Sequence, residues 1–205
     1  MLEALIFDIG NVLLAFDFTR TFQRLAPKCE GNFSEAVAAL EPMKQDLESG
    51  KISSEAFLER AAQHLRFQGS REELVMAWQR IFDPIEATHR LVERLHGVLP
   101  LYLLSNTNAL HAEYFLSEWP VFSKFSGAVY SHEARLMKPD HAIYTHAIAK
   151  FGVQAGQTLF IDDLEPNVHA AREAGLLAHQ YRAGQHSLLL QTLREHGVPP
   201  SLLAD

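Results

Sequence analysis

One cysteine, Cys29, stands in 205 residues. An intramolecular disulfide is thereby excluded, the thiol carries no motif around it, and the usage fits a reducing compartment. No apolar stretch approaches the ~20 residues that a membrane-spanning helix needs, and the first residues, with Glu3 and Asp8, lack the basic start of a secretory signal. The expected setting is cytoplasmic, with no membrane partner. Positive charge is also scarce: 18 Lys and Arg face 25 Asp and Glu, for a formal charge of −7, and the basic residues are dispersed. Neutralising a phosphate backbone takes clustered cations, so nucleic acid is not an expected partner. A small anion held by one lysine or a metal remains compatible with that charge. The 11 histidines show no metal-ligand spacing, and there is no internal repeat or low-complexity segment.

What is present begins with Ala4-Leu5-Ile6-Phe7-Asp8-Ile9-Gly10-Asn11-Val12. An unbroken apolar run ending in turn formers predicts a strand buried on both faces, as in a parallel sheet, with Asp8 at its carboxyl end. After Val12 the pattern stays helical for about seventy residues, with no strand-like segment. Asn32 with Glu35 and Ser70 with Glu73 have capping-box spacing, and Leu58, Ala61, Ala62, Leu65 and Leu74, Val75, Trp78, Ile81, Phe82 form apolar stripes. Pro42 and Ser49-Gly50-Lys51 punctuate the run. Asp83 and Pro84 read as the N-cap and first turn of a helix ending near Gly97. Strand and helix then alternate: strand 99–104, helix 108–118, strand 127–130, helix 140–151, strand 158–161, helix 166–174, strand 176–180 and a last helix from about 186. The length suffices for a sizeable core. Together these predict an α/β fold, a Rossmann-like parallel sheet with helices on both faces. The expected core is 1–14 with 84–205, and 15–83 form an inserted α-helical cap resembling a four-helix bundle.

Ligands of open α/β sheets bind beyond the carboxyl ends of the strands, which is where Asp8 falls. Alone it reads equally well as a solvated acid starting a turn. Leu101-Tyr102-Leu103-Leu104-Ser105-Asn106 delivers the Ser105 hydroxyl and the Asn106 backbone N–H to the same crevice as phosphate-binding donors; a turn capping the next helix is the plainer alternative. In Arg135-Leu136-Met137-Lys138-Pro139-Asp140, Lys138 stands at a helix start, unfavourable against the macrodipole by ~0.3–1 kcal/mol unless an anion lies nearby. A solvated surface lysine is the alternative there. Phe160-Ile161-Asp162-Asp163 ends an apolar strand in two carboxylates. These repel one another unless a cation intervenes, and oxygen donors of this kind suit Mg²⁺. An acidic helix cap explains one of the two acids more readily than both.

Asp, Ser, Lys and Asp-Asp in this order, with a helical insertion after the first, resemble the four motifs of the haloacid dehalogenase superfamily across essentially the whole chain. Phe-Asp-Ile-Gly-Asn-Val and Glu-Ser-Gly-Lys-Ile-Ser-Ser-Glu-Ala-Phe are similar to its α-glucose-1-phosphate phosphatase and epoxide-hydrolase N-domain branch. The resemblance implies an enzyme, a phosphatase acting on a small phosphorylated substrate, a sugar phosphate first of all. Asp8 would attack phosphorus to give an aspartyl-phosphate. Mg²⁺ would be held by Asp8, the Gly10 carbonyl and Asp162. Ser105, Asn106 and Lys138 would bind the phosphoryl group, and Asp163 would order the metal's waters or hold Lys138. The insertion would close as a lid.

One position departs from the pattern. The superfamily's phosphatases usually carry a second Asp two residues after the nucleophile as acid and base, and here Gly10 occupies it. An anomeric leaving group needs that proton less; Asp17 or His64 are candidates for activating water, Asp17 being also a natural hinge residue. His111 and His132 are candidates for substrate contact, and Trp78 belongs to a core stripe. Two other readings stay open: a 2-haloacid dehalogenase-like hydrolase using the same Asp without metal, and a silent phosphate-binding module. A monomer is compatible with everything above, and composition leaves the oligomeric state open.

Overall fold

The computed structural model describes residues 2–204. Five strands, β1 (Ala4–Phe7), β4 (Leu101–Ser105), β5 (Gly127–Tyr130), β6 (Thr158–Asp162) and β7 (Leu177–Gln180), form one sheet in the order β5-β4-β1-β6-β7. All four pairings are parallel. Side chains alternate across a strand, and the apolar runs fill both faces. Leu5 and Phe7 join one buried cluster and Ile6 the other; Leu103 and Leu104 divide in the same way, as do Ile161 and Phe160. Helices α5 (Glu86–Leu95), α6 (Ala109–Glu118) and α10 (His186–Glu195) send buried residues into the first cluster, and α8 (His141–Phe151) and α9 (Glu165–Glu173) into the second. The result is the α/β Rossmann-like arrangement that the alternation predicts. A single turn, α7 (Ser131–Ala134), follows β5.

Between the first strand and α5 lie α1 (Thr19–Leu25), α2 (Phe33–Glu48), α3 (Ser54–His64) and α4 (Arg71–Gln79). They enclose a separate cluster that includes Leu40, Leu47, Phe57, Leu58, Leu74 and Trp78. The Ser70–Glu73 capping box is complete, whereas Asn32 only accepts the Glu35 N–H, at 3.4 Å. Pro42 does not interrupt α2. It lies on the exposed side, as does Ala38, whose carbonyl loses its helical partner there and can turn to water.

The insertion is not wholly helical. Leu14–Phe16 (β2) pairs antiparallel with Phe82–Pro84 (β3), a ribbon joining the two parts of the chain. Asp83 and Pro84 therefore sit in a strand and not at a helix start: Asp83 pairs with Arg20, and α5 begins at Glu86 without a side-chain cap. Below the ribbon, Ile85 N–H donates to the Leu13 carbonyl and Thr88 Oγ1 to the Val12 carbonyl, at 2.9 and 2.6 Å.

Candidate active site

Parallel register brings the strand ends together. Phe7 is level with Leu103 on one side and Ile161 on the other, so the next residues, Asp8 and Asp162, emerge side by side; the Asp8 N–H donates to the Ile161 carbonyl at 2.8 Å. Between the two acids lies the Lys138 ammonium, 2.8 Å from Asp8 Oδ1 and 2.6 Å from Asp162 Oδ2, its side chain 1 % exposed. It is therefore no surface lysine. Asn106 fixes it there: its amide donates to the Lys138 carbonyl and accepts the Lys138 N–H, both at 2.9 Å. The Asn106 side chain is thus committed to positioning the lysine.

Burial raises the Asp8 carboxyl to about 6, against the pull of Lys138 and the Ser105 hydroxyl and with the help of the Asp162 charge. Burial acts to lower Lys138, but the attraction of Asp8 and Asp162 outweighs it and leaves the ammonium above its ordinary value. Asp162 is saturated: besides Lys138 it accepts the Leu164 N–H at 2.9 Å and the Asn167 amide at 3.0 and 3.1 Å. Asp163 is half-buried and accepts one side-chain bond, from Asn11 Nδ2 at 3.0 Å. Burial and the Asp162 charge raise its carboxyl, while Asn11 and Lys138 hold it down.

Asp8, Asp162 and Asp163 each offer an oxygen within 4.8 Å of the others. That is close to the ~4.2 Å separating opposite ligands of an octahedral Mg²⁺. Asp8 Oδ1 is buried and makes no well-directed hydrogen bond despite its ion pair with Lys138, the state of a donor atom that a cation would complete. The oxygen set fits a hard divalent cation.

Asp8 and Asp163 open on a cavity of about 280 Å³, with Asp162 buried behind them. Asp8, Gly10, Ser105, Asn106, Lys138 and Asp163 line its core side; Phe18, Lys44 and Glu48 enter from the insertion. Glu48 is held from behind, since its carbonyl accepts the Ser131 hydroxyl at 2.6 Å, and the same hydroxyl accepts the Thr107 N–H at 2.9 Å.

The other candidates lie elsewhere or have other partners. Asp17 is exposed and accepts the Thr19 N–H at the start of α1, as a hinge residue would; His64 is exposed and bonds to the Arg60 carbonyl. His111 is buried between Asn108 and the Trp78 carbonyl, at 3.1 Å from each, and burial pushes its imidazole down to about 3. It is a neutral joint between α6 and α4. His132 stacks on Tyr130 and bonds to the Thr107 carbonyl, and Trp78 is 4 % exposed in the insertion's core. Three contributors escape local pattern reading: Asn11, Asn167 and Glu48. For Asn11 the sequence does hold a signal in the Gly10-Asn11 pair of turn formers, and its φ of 52° is a left-handed position that Asn tolerates better than most non-glycine residues.

Known proteins resemble this chain in sequence and fold. A family model described as haloacid dehalogenase-like hydrolase matches residues 2–175. A D-ribitol-5-phosphate phosphatase of Bacteroides thetaiotaomicron is 26 % identical over 198 residues, covering 90 % of this chain and 94 % of the relative. A HAD family enzyme of Bacteroides thetaiotaomicron, solved in complex with magnesium and inorganic phosphate, superposes with a TM-score of 0.80 at 25 % identity, over 90 % of this chain and 96 % of the other. A predicted HAD-like hydrolase of Porphyromonas gingivalis gives 0.79 at 26 %, over 95 % and 98 %. With the family match running from the first strand to the end of α9, the chain belongs to the haloacid dehalogenase-like hydrolases.

Proposed function

We propose that the chain is a Mg²⁺-dependent phosphatase of small polyhydroxylated phosphates, a sugar or polyol phosphate, working through an aspartyl-phosphate on Asp8. One observation carries the reading: three carboxylates cluster within 4.8 Å of one another around a single ammonium that pairs with two of them, beside one cavity. A metal-free attack on carbon leaves that excess of negative charge unbalanced. A phosphatase that binds a cation does not. The substrate class is supported by the phosphatase relative, named for a polyol phosphate, and by the insertion side of the cavity, where Lys44 can donate to a hydroxyl.

Bound Mg²⁺ would offset the charge of nucleophile and phosphate. The saturation of Asp162 favours Asp8, the Gly10 carbonyl and Asp163 as its holders, with Asp162 anchoring Lys138. Asp162 and Asp163 thereby exchange the roles that the motif resemblance implies. Lys138 keeps Asp8 ionised and oriented. The Ser105 hydroxyl and the Asn106 N–H receive phosphoryl oxygens. Asp8 forms its bond to phosphorus as the ester oxygen leaves; water then displaces Asp8 and releases phosphate. The helical insertion acts as the cap that excludes bulk water in the first step. A phosphate-release screen over sugar phosphates, polyol phosphates and nucleotides, with Mg²⁺ and with chelator, tests the reading. Mg²⁺-dependent release is expected, and Asp8→Asn abolishes it with the fold unchanged. Turnover that survives either the chelator or the substitution overturns it.

A further inference from the structure

A nucleophilic Asp8 does not account for the protons. An alkoxide expelled from a polyol phosphate, or from a sugar phosphate esterified away from the anomeric carbon, is strongly basic, and general acid help is typically worth 10²- to 10⁴-fold. Gly10 stands where the family's acid and base is usually found and offers no side chain. Among the histidines and acids that the sequence suggests, Asp17 and His64 are exposed and bonded elsewhere, while His111 is neutral and locked to Trp78.

One carboxyl remains. Glu48, in the last turn of α2, lines the cavity that holds Asp8 and also a smaller adjoining one of about 70 Å³, together with Gly10, Ser105 and Asn106. Its carboxylate has no ion-pair partner among the described residues, because Lys44 bonds to Glu41 at 3.1 Å. Its backbone is clamped to the core: the Ser131 bond holds its carbonyl, and Gly50, at φ 69°, lies so near the His132 carbonyl that an added Cβ would come within 2.2 Å. The insertion therefore carries an unpaired acid to the cavity and fixes its main chain there.

We propose, resting on the phosphatase reading, that Glu48 is the general acid and base of this enzyme, supplied by the cap in place of the acid missing at Gly10. In the first step the P–O ester bond breaks as the Asp8–P bond forms, and the Glu48 proton passes to the leaving oxygen. In the second, the water oxygen bonds to phosphorus, the Asp8–P bond breaks, and the water proton returns to Glu48. The product alcohol and phosphate are released with both carboxyls restored. The Glu48 surroundings suit a group that must give and take a proton near neutrality. Burial pushes its carboxyl up to about 7, Lys44 pulling it down and Glu41 adding to the rise, while Asp8, Lys138 and Asp163 face it across the larger cavity and neutral His111 lines the smaller. A proton donor on the cap also ties chemistry to closure, since Glu48 reaches the leaving group only when the insertion is seated.

The test compares an alkyl ester, D-ribitol 5-phosphate, with p-nitrophenyl phosphate, whose phenolate departs without a proton, in wild type and Glu48→Gln with Mg²⁺. The expected result is a fall in alkyl ester kcat of about 100-fold or more, with release of p-nitrophenolate in the first turnover, read by rapid mixing, changed less than about threefold. That unchanged burst also shows the fold intact. Glu48→Asp recovers part of the alkyl activity. Equal losses on both esters, or none on the alkyl ester, overturn the assignment of Glu48 while leaving the phosphatase reading in place. Failure of the wild type to hydrolyse either ester overturns that reading and this inference with it.

Discussion

Asp162 and Asp163 are neighbours of the same type with opposite surroundings, and the difference sets their work. Asp162 is fully buried and accepts four hydrogen bonds; Asp163 is half-buried and accepts one from a side chain. Asp163→Asn is expected to raise the Mg²⁺ concentration needed for half-maximal turnover about tenfold or more, with little change in the urea midpoint. Asp162→Asn weakens the anchor of a buried lysine and is expected to lower unfolding free energy by about 2–3 kcal/mol. Metal titration and urea melts separate the two, and the reverse pattern would return the metal to Asp162. Glu48 gives a pH prediction. Its carboxyl stands near 7 in the folded chain against the ordinary 4.5. A raised acid favours the fold while protonated and loses that advantage as pH rises through the folded value. Glu48→Gln should thus match wild type below pH ~4.5 and become more stable by about 1–3 kcal/mol above pH ~7.5; urea midpoints at pH 4.5 and 8.5 check this. Asp8, Ser105, Asp162 and Asp163 were legible because each ends an unbroken apolar run, and Lys138 because it stands in the Pro139 turn that leads into α8. Asn167 and Glu48 were not, because each lies within an ordinary helical stretch and acquires its meaning only from what packs opposite.

At the scale of elements, local pattern located the parallel strands, and the helices after residue 84 other than the single turn α7, to within a few residues; it named no α1 and failed where a partner lay far along the chain. β2 and β3 are each three residues long and about seventy residues apart, so nothing in Asp83-Pro84 announces a ribbon; the pair reads as a helix start until Leu14–Phe16 is placed beside it. The turn after α2 shows the converse. Gly50 is visible as punctuation, but its constraint is tertiary. Gly50→Ala puts a methyl into the His132 carbonyl at φ 69°, whereas Gly97→Ala, at φ 78°, meets nothing within 4 Å. The second change should therefore be limited to the left-handed strain of ~1 kcal/mol, and the first should destabilise by at least twice that. Because Glu48 is two residues away, Gly50→Ala should also depress alkyl phosphate turnover more than the p-nitrophenolate burst. Paired urea melts and kinetics on the two alanine variants decide whether the turn is a seam or only a bend.

For the whole molecule, the insertion and the sheet have separate apolar clusters, with Leu110 of α6 the residue from outside the insertion that is buried in the insertion's cluster. The seam between them mixes hydrogen bonds, Gln79 to the Leu110 carbonyl at 3.0 Å, His111 to the Trp78 carbonyl at 3.1 Å and Ser131 to the Glu48 carbonyl at 2.6 Å, with aromatic contacts in which Trp78 stacks on His111 and Phe82 meets Phe115 edge-on. Opening such a seam uncovers a few rings and Leu110 but leaves most of each cluster covered, which suits a cap that admits substrate and releases product. It also means that a ligand bound at Asp8 and Lys138, touching Lys44 or Glu48 from the other side of the cavity, adds a link between two bodies whose apolar clusters are otherwise separate. Mg²⁺ with inorganic phosphate at ~100 times its dissociation constant should therefore stabilise the fold by about 2.7 kcal/mol, a rise of roughly 5–10 °C in Tm for a chain of this size. Backbone amides of α2 and of the turn through Gly50 should gain protection from hydrogen exchange alongside those of β1 and β6. Asp8→Asn, which keeps the shape but removes a metal donor, should lose most of the Mg²⁺-dependent part. If protection rises only in the sheet and α2 exchanges as before, ligand does not bridge the seam, and the cap contributes neither closure nor a proton to the reaction.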